Sequence, residues 1–295
     1  MMKKNIGYLQ VILSGVCFAF LGYFGKTGYL YGFTPGELLA LRYSSAAVML
    51  GIFLLFTDHS FLKMSHKEKI ISTLLGVCGY ALFSSFFFYA LQGISASLTV
   101  LLLYTYPVMV AFLSPLFFKE KISKKLWFIL FLASIGLYLL LRVEWDVKNI
   151  TSILFGFGAA FFYSLYILYS RKFVAHLKAT ASSFYVQLGA GLILCLIHFK
   201  TLDRPLYLFQ HHGLFIITMA LICSLFAMTL FLAGLQKLSA TETSILSTTE
   251  PLFGVLIAIT LLGEHFFASQ FIGALLVLLA LILVAVKKDP AQNFQ

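Results

Sequence analysis

The sequence is poor in charge and poorest in acid. Only 11 of its 295 residues are Asp or Glu, and 11% are charged in all, where a soluble domain carries roughly 25%. With 61% hydrophobic residues and a mean hydropathy of +0.96, a soluble fold is excluded, because much of any globular surface must face water. Cysteine is scarce too. Cys17, Cys78, Cys195 and Cys223 all sit in apolar runs, outside any CxxC or Cys/His cluster, so they read as small packed hydrophobes rather than a disulfide framework or a zinc site. The seven histidines are scattered, and adjacent His211 and His212 point their rings apart. Walker loops, GxSxG elbows and HExxH pairs are missing. ATP-driven transport by this chain alone is thereby disfavoured; no cofactor, no metal and no catalytic residue are expected. No A-x-A-like site follows Lys3, Lys4 and the apolar run 6–24, so that run reads as a first membrane helix and not a signal peptide.

What is present is a series of ten apolar runs, near 6–25, 35–56, 70–90, 95–118, 125–142, 152–170, 180–199, 213–233, 242–262 and 268–286. Each approaches the roughly 20 residues of a spanning helix. The runs are continuous and lack the ten-residue alternation of a membrane barrel. The longest loops, near 57–69 and 200–212, leave no room for a water-soluble domain. The net charge of +10 would suggest nucleic acid in a soluble protein. Here the basic residues cluster in short connections, where they set orientation, and no nucleic-acid partner is expected. With the N-terminus inside, 15 of the 21 Lys and Arg fall in inner segments, among them Lys63, Lys67, Lys69, Arg171 and Lys172. Five (Lys26, Arg142, Lys148, Lys200 and Arg204) fall outside, and Arg42 lies within the second run. Both termini are therefore expected in the cytoplasm.

A shift of 144 positions superposes Leu91-Gln92 on Leu235-Gln236, Ser95-Ala96 on Ser239-Ala240, Pro107 on Pro251 and Glu120 on Glu264. Each half then holds five spans, an odd number, so the halves insert in opposite directions. The loop KEKISKK after span four is basic, whereas its counterpart GEHFFASQ after span nine has no Lys or Arg. The predicted fold is an all-α membrane protein of ten transmembrane helices in two inverted five-helix repeats, 1–148 and 149–290, with a tail at 291–295. Inverted repeats are a basis for alternating access around a mid-membrane site.

The stretches RYSSAAVML, ALQGISASLTVLLLYTYPVMVAFL with the following KEKI, YSLYILYSRK and GLQKLSATETSILSTTEPLFGVLIAITLLGE together resemble the EamA-type drug/metabolite transporters over nearly the whole chain. That resemblance implies ten helices in two inverted repeats. It also implies a carrier of amino acids, nucleotide-like metabolites, vitamins or toxic organic compounds, often an exporter. The YTYP stretch is similar to one in aromatic amino-acid exporters, which implies that Tyr104 and Tyr106 line the central cavity. Tyr163 stands where such relatives often have Trp.

Glu250 is a carboxylate inside an apolar span, at a cost of at least about 2.5 kcal/mol near a helix centre. It reads as a substrate-ammonium or proton site, or else as a carboxyl bonded to a freed backbone group. Pro107 and Pro251 bend their helices and read as hinges. Gly79, Tyr80, Phe83, Ser84 and Phe87 share a helix face, so Tyr80 is a candidate for an aromatic cage. Ser244, Ser247 and Thr248 precede Glu250; Ser247 is the candidate hydroxyl. Arg42 is about 140° around the helix from Glu37, too far for a close pair. It can snorkel, bind a carboxylate or hold a helix-end carbonyl. Gln92 and Gln236 can cap helix ends or touch substrate, and Glu120 and Glu264 read as interfacial landmarks.

The leading expectation is a non-enzymatic secondary transporter of an amino acid or related metabolite in the cell (inner) membrane, with export favoured. It would work with protons as a possible coupling ion and as a monomer or homodimer among membrane lipid. Rivals are a multidrug or organic-cation exporter, an importer of a vitamin or nucleotide-like metabolite, and a membrane enzyme acting on lipid-linked substrates.

Overall fold

The computed structural model describes residues 2–57, 59–118, 122–142, 149–201, 203–263, 265 and 267–286. Ten described helices are long and apolar enough to span a bilayer: α1 Lys4–Leu30, α2 Pro35–Thr57, α3 His66–Leu91, α4 Ala96–Phe118, α5 Lys124–Leu141, α6 Ile150–Phe173, α7 Ala179–His198, α8 Asp203–Leu235, α9 Ala240–Leu261 and α10 Ala268–Ala285.

Two helices outrun the hydropathy signal. The first continues to Leu30, and α8 starts at Asp203, so most of the expected 200–212 loop is helical. Asp203 supplies an acid in the first turn of α8, where the helix dipole favours it, and Pro205 sits where its missing N–H costs little. The chain kinks at His212 (φ −131°, ψ 23°), just before the apolar run that begins at 213. The segment before the kink is amphipathic, burying Leu208 and exposing Leu206 and Tyr207.

The repeat seen in sequence has physical content. Ser95 and Ser239 are N-caps, their hydroxyls accepting from the backbone N–H of Leu98 (3.2 Å) and Glu242 (3.1 Å). Gln92 and Gln236 are C-caps. Gln236 also donates to the Leu177 carbonyl at 2.7 Å. Both α3 and α8 contain a π-helical stretch, Leu75–Ala81 and Leu221–Phe226. Both α4 and α9 break shortly before a proline, at Tyr104–Thr105 and at Ser247–Thr248. Two further identities belong to the repeat, one at the breaks and one in the first turns. Thr105 donates to the Leu102 carbonyl (2.7 Å) and Thr249 to that of Leu246 (2.6 Å); Thr99 and Thr243 donate to the carbonyls of Ser95 and Ser239, each at 2.9 Å.

Packing obeys the same two-fold relation. Helices α2 and α7 pack together, as do α5 and α10; α3 lies on α6 as α8 lies on α1, and α4 on α6 as α9 on α1. Glycines permit the closest crossings. A Cβ on Gly76 would stand 2.1 Å from the Val186 carbonyl oxygen, and one on Gly273 2.4 Å from the Leu140 nitrogen.

Contacts between helix ends show that successive helices run up and down. At one end His176 meets Glu68 (3.1 Å), Arg171 donates to the Gln236 carbonyl (3.2 Å), and Lys4 pairs with Glu242 (3.1 Å). At the other, Arg204 binds Glu37 (2.8 Å) and the Arg142 guanidinium lies 3.4 Å over the Phe267 ring. Ser123 caps the start of α5 and Phe267 lies at its finish, about 27 Å apart along 18 residues. The connections after α4 and α9 therefore lie at opposite ends, and the two five-helix repeats are inverted. Glu120 and Glu264 lie outside the described residues.

Candidate functional site

A cavity of about 450 Å³ lies at the centre of the bundle, lined from α1, α2, α3, α4, α5, α6, α8 and α9. Its deepest wall is made by the discontinuous parts of the fold. Tyr80 comes from the π stretch of α3, Tyr104 and Tyr106 from the break in α4, and Glu250 and Pro251 from just past the break in α9. Irregular backbone at membrane depth is tolerated where it is buried or lines a cavity.

The rings form a connected cluster. Tyr80 is edge-on to Tyr43 (5.3 Å), Phe83 (4.8 Å) and Tyr166 (5.1 Å). Tyr163 meets Phe83 at 4.6 Å and Tyr106 at 4.6 Å, and Tyr106 meets Tyr104 at 5.6 Å. Four tyrosines predicted from sequence are thus brought together with Glu250, whose carboxyl lies beside the Tyr104 hydroxyl.

The cavity reaches only one end of the bundle. Its wall continues to Tyr29 at the end of α1, Leu38 at the start of α2, Leu91 at the end of α3 and Leu141 at the end of α5. Toward the other end every lining residue stays at least ten residues inside its helix, about 15 Å. There α4 is fastened to α9: Tyr106 donates to the Ser244 carbonyl (3.2 Å) and Tyr104 to that of Ser247 (3.4 Å). The Ser247 carbonyl accepts the Glu250 N–H at 3.0 Å, and its other lone pair is open to Tyr104 because Pro251, four residues on, has no N–H.

Two predicted residues stand elsewhere. Ser247 is absent from the lining, and its hydroxyl donates to the Thr243 carbonyl at 2.9 Å. Ser244 and Thr248 likewise bond within their own helix, to Thr241 (2.8 Å) and Ile245 (2.7 Å). This is the ordinary habit of helical Ser and Thr, which satisfy their hydroxyls on the preceding turn. Pro107 lies behind Tyr104, against Leu130, Ala133 and Thr248, so it shapes α4 without facing the cavity.

Conversely, Arg42 does face it. It is 5% exposed and paired not with Glu37, which is held by Arg204, but with the Tyr43 hydroxyl. That hydroxyl in turn is 3.1 Å from Ser84. The sequence signal was an arginine deep in an apolar span, which is costly unless it faces a cavity or a partner. Among the described residues no group of three or more His, Cys, Asp or Glu is placed to hold a metal ion.

Comparison with known proteins agrees with this architecture. The family model for the EamA-like transporter family matches residues 5–142 and again 150–286. Uncharacterized transporter YyaM of Bacillus subtilis (strain 168) is 24% identical over 259 residues, 85% of this chain and 84% of that protein. Uncharacterized transporter YxxF of the same organism is 21% identical over 299 residues, 99% of this chain and 93% of that one. A solved crystal structure at 17% identity superposes with a TM-score of 0.78 over 95% of this chain and 96% of that chain; at that identity the likeness shows the fold.

Proposed function

This chain belongs to the EamA-like transporter family, a multi-pass membrane transporter, and from that premise we propose that it exports an amino acid or a closely related metabolite across the cell (inner) membrane. The observation that carries this reading is the central cavity, in which Tyr80, Tyr104, Tyr106 and Tyr163 surround a single carboxylate, Glu250. The rings would hold an apolar or aromatic side chain, and Glu250 would meet an ammonium group or carry a coupling proton. Ser247 would act through its carbonyl, as the partner of Tyr104. The breaks before Pro107 and Pro251 would let α4 and α9 bend as the repeats 1–148 and 149–290 rock, opening the cavity to each side in turn.

Fifteen of 21 basic residues on the N-terminal side support cytoplasmic termini. The cavity as seen would then open outward, the state after release in an exporter. A monomer or homodimer in lipid suffices, since the cavity is complete within one chain. A multidrug or organic-cation exporter is the second reading, favoured by the rings around Glu250.

Proteoliposome transport of toxic amino-acid analogues and of organic cations separates the two. Glu250→Gln is expected to fold, and to lose transport or its pH response. Wild-type transport with an unchanged pH response in that variant removes the coupling role.

A further inference from the structure

Three charged residues line the cavity, Lys26 four residues from the end of α1 at the open side, and Arg42 and Glu250 deeper. The Arg42 guanidinium donates to the Tyr43 hydroxyl and lies 4.4 Å over that ring, yet its buried Nε has no partner. Glu250 lines the same cavity from α9. Among the described residues no ion pair joins the two, although each is held in apolar surroundings where an unpaired charge is costly. Helical register keeps them at different depths. Arg42 is seven residues inside the start of α2 and Glu250 eleven residues from the finish of α9, about 10 Å and about 16 Å from the same end of the bundle. Tyr80, Phe83 and Tyr163 line the cavity with them.

We propose that Arg42 and Glu250 form a two-point clamp for a zwitterion, Arg42 taking a carboxylate and Glu250 an ammonium, with the rings receiving the side chain. The inference rests on the amino-acid reading above and narrows it. A guanidinium fork matches a carboxylate better than any other side chain does. An organic cation would satisfy Glu250 and leave Arg42 bare, and an organic anion the reverse. A zwitterion satisfies both and brings no net charge to mid-membrane. Arg42 is thus the residue that would discriminate an amino acid from the amine made by removing its carboxylate.

The test is ligand-induced thermal stabilisation of the purified protein, first with the twenty common amino acids, then with the decarboxylated amine and the desamino acid of whichever shifts it most. The amine and the acid are each expected to need at least tenfold higher concentration than the amino acid for the same shift. In Arg42→Gln the gap between amino acid and amine should close to within twofold, while Arg42→Lys should retain part of it. In Glu250→Gln the gap between amino acid and desamino acid should close instead. The comparison of the three ligands on unmodified protein stands even if a variant fails to fold. An amino acid and its amine that stabilise unmodified protein equally would overturn the clamp while leaving the amino-acid reading intact. A panel in which no amino acid shifts the protein would overturn both.

Discussion

At the scale of single residues, the same side chain has different consequences according to what the fold sets beside it. Gly22 and Gly76 both lie in apolar helices, but a Cβ at Gly22 meets nothing within 4 Å, whereas one at Gly76 would meet the Val186 carbonyl oxygen at 2.1 Å. Gly22→Ala is therefore expected to leave the melting temperature in detergent nearly unchanged, and Gly76→Ala to lower stability by about 1–3 kcal/mol through overpacking. The two capping serines make a similar comparison. Ser239→Ala should cost about 1 kcal/mol, and more than Ser95→Ala, because Ser239 belongs to a reciprocal box with Glu242 that also anchors Lys4. Reversible denaturation of both variants would check the order.

At the scale of elements, the breaks in α4 and α9 convert a local backbone defect into a contact between repeats. Pro251 leaves the Ser247 carbonyl without its i+4 donor; the carbonyl accepts instead the Glu250 N–H at 3.0 Å and the Tyr104 hydroxyl of the other repeat. Pro251→Ala restores that donor, so the carbonyl gains a competing partner and α9 is expected to straighten. Transport should slow several-fold while ligand-induced stabilisation persists. A variant that transports at the wild-type rate would show that the bend is only packing. The bonds at the closed end give a second expectation. Tyr104→Phe combined with Tyr106→Phe removes both cross-repeat hydroxyl bonds, each of order 1 kcal/mol. A single cysteine introduced at Ser244 should then react faster with a soluble thiol reagent than it does in the otherwise unchanged protein.

At the scale of the whole molecule, inversion of the repeats is the property from which cavity, breaks and gating geometry follow. Cysteines introduced at Ser123 and His265 are expected to react with a membrane-impermeant reagent from opposite sides; labelling from one side would break the two-fold relation. Much of this was legible in the chain itself. Ten apolar runs, an uneven spread of Lys and Arg and a 144-residue repeat carry the span count and the inversion, because a bilayer imposes one length scale and one backbone solution on every span. Helix face pointed to Tyr80 and a carboxylate in an apolar span to Glu250, whereas Tyr104, Tyr106 and Tyr163 were suggested by the family resemblance. Hydropathy did not show the first nine residues of α8, which are amphipathic and lie before the kink at His212. Nor did it show that Ser247 turns its hydroxyl back onto its own helix, or that Arg42 shares a cavity with Glu250 rather than reaching the membrane surface. Membrane insertion is decided by each segment's own composition, so the sequence alone determined how many helices cross and that the two halves run in opposite senses. Which side chains face one another across the centre depends on the rotation and depth at which separate helices pack, and only the tertiary structure decided that.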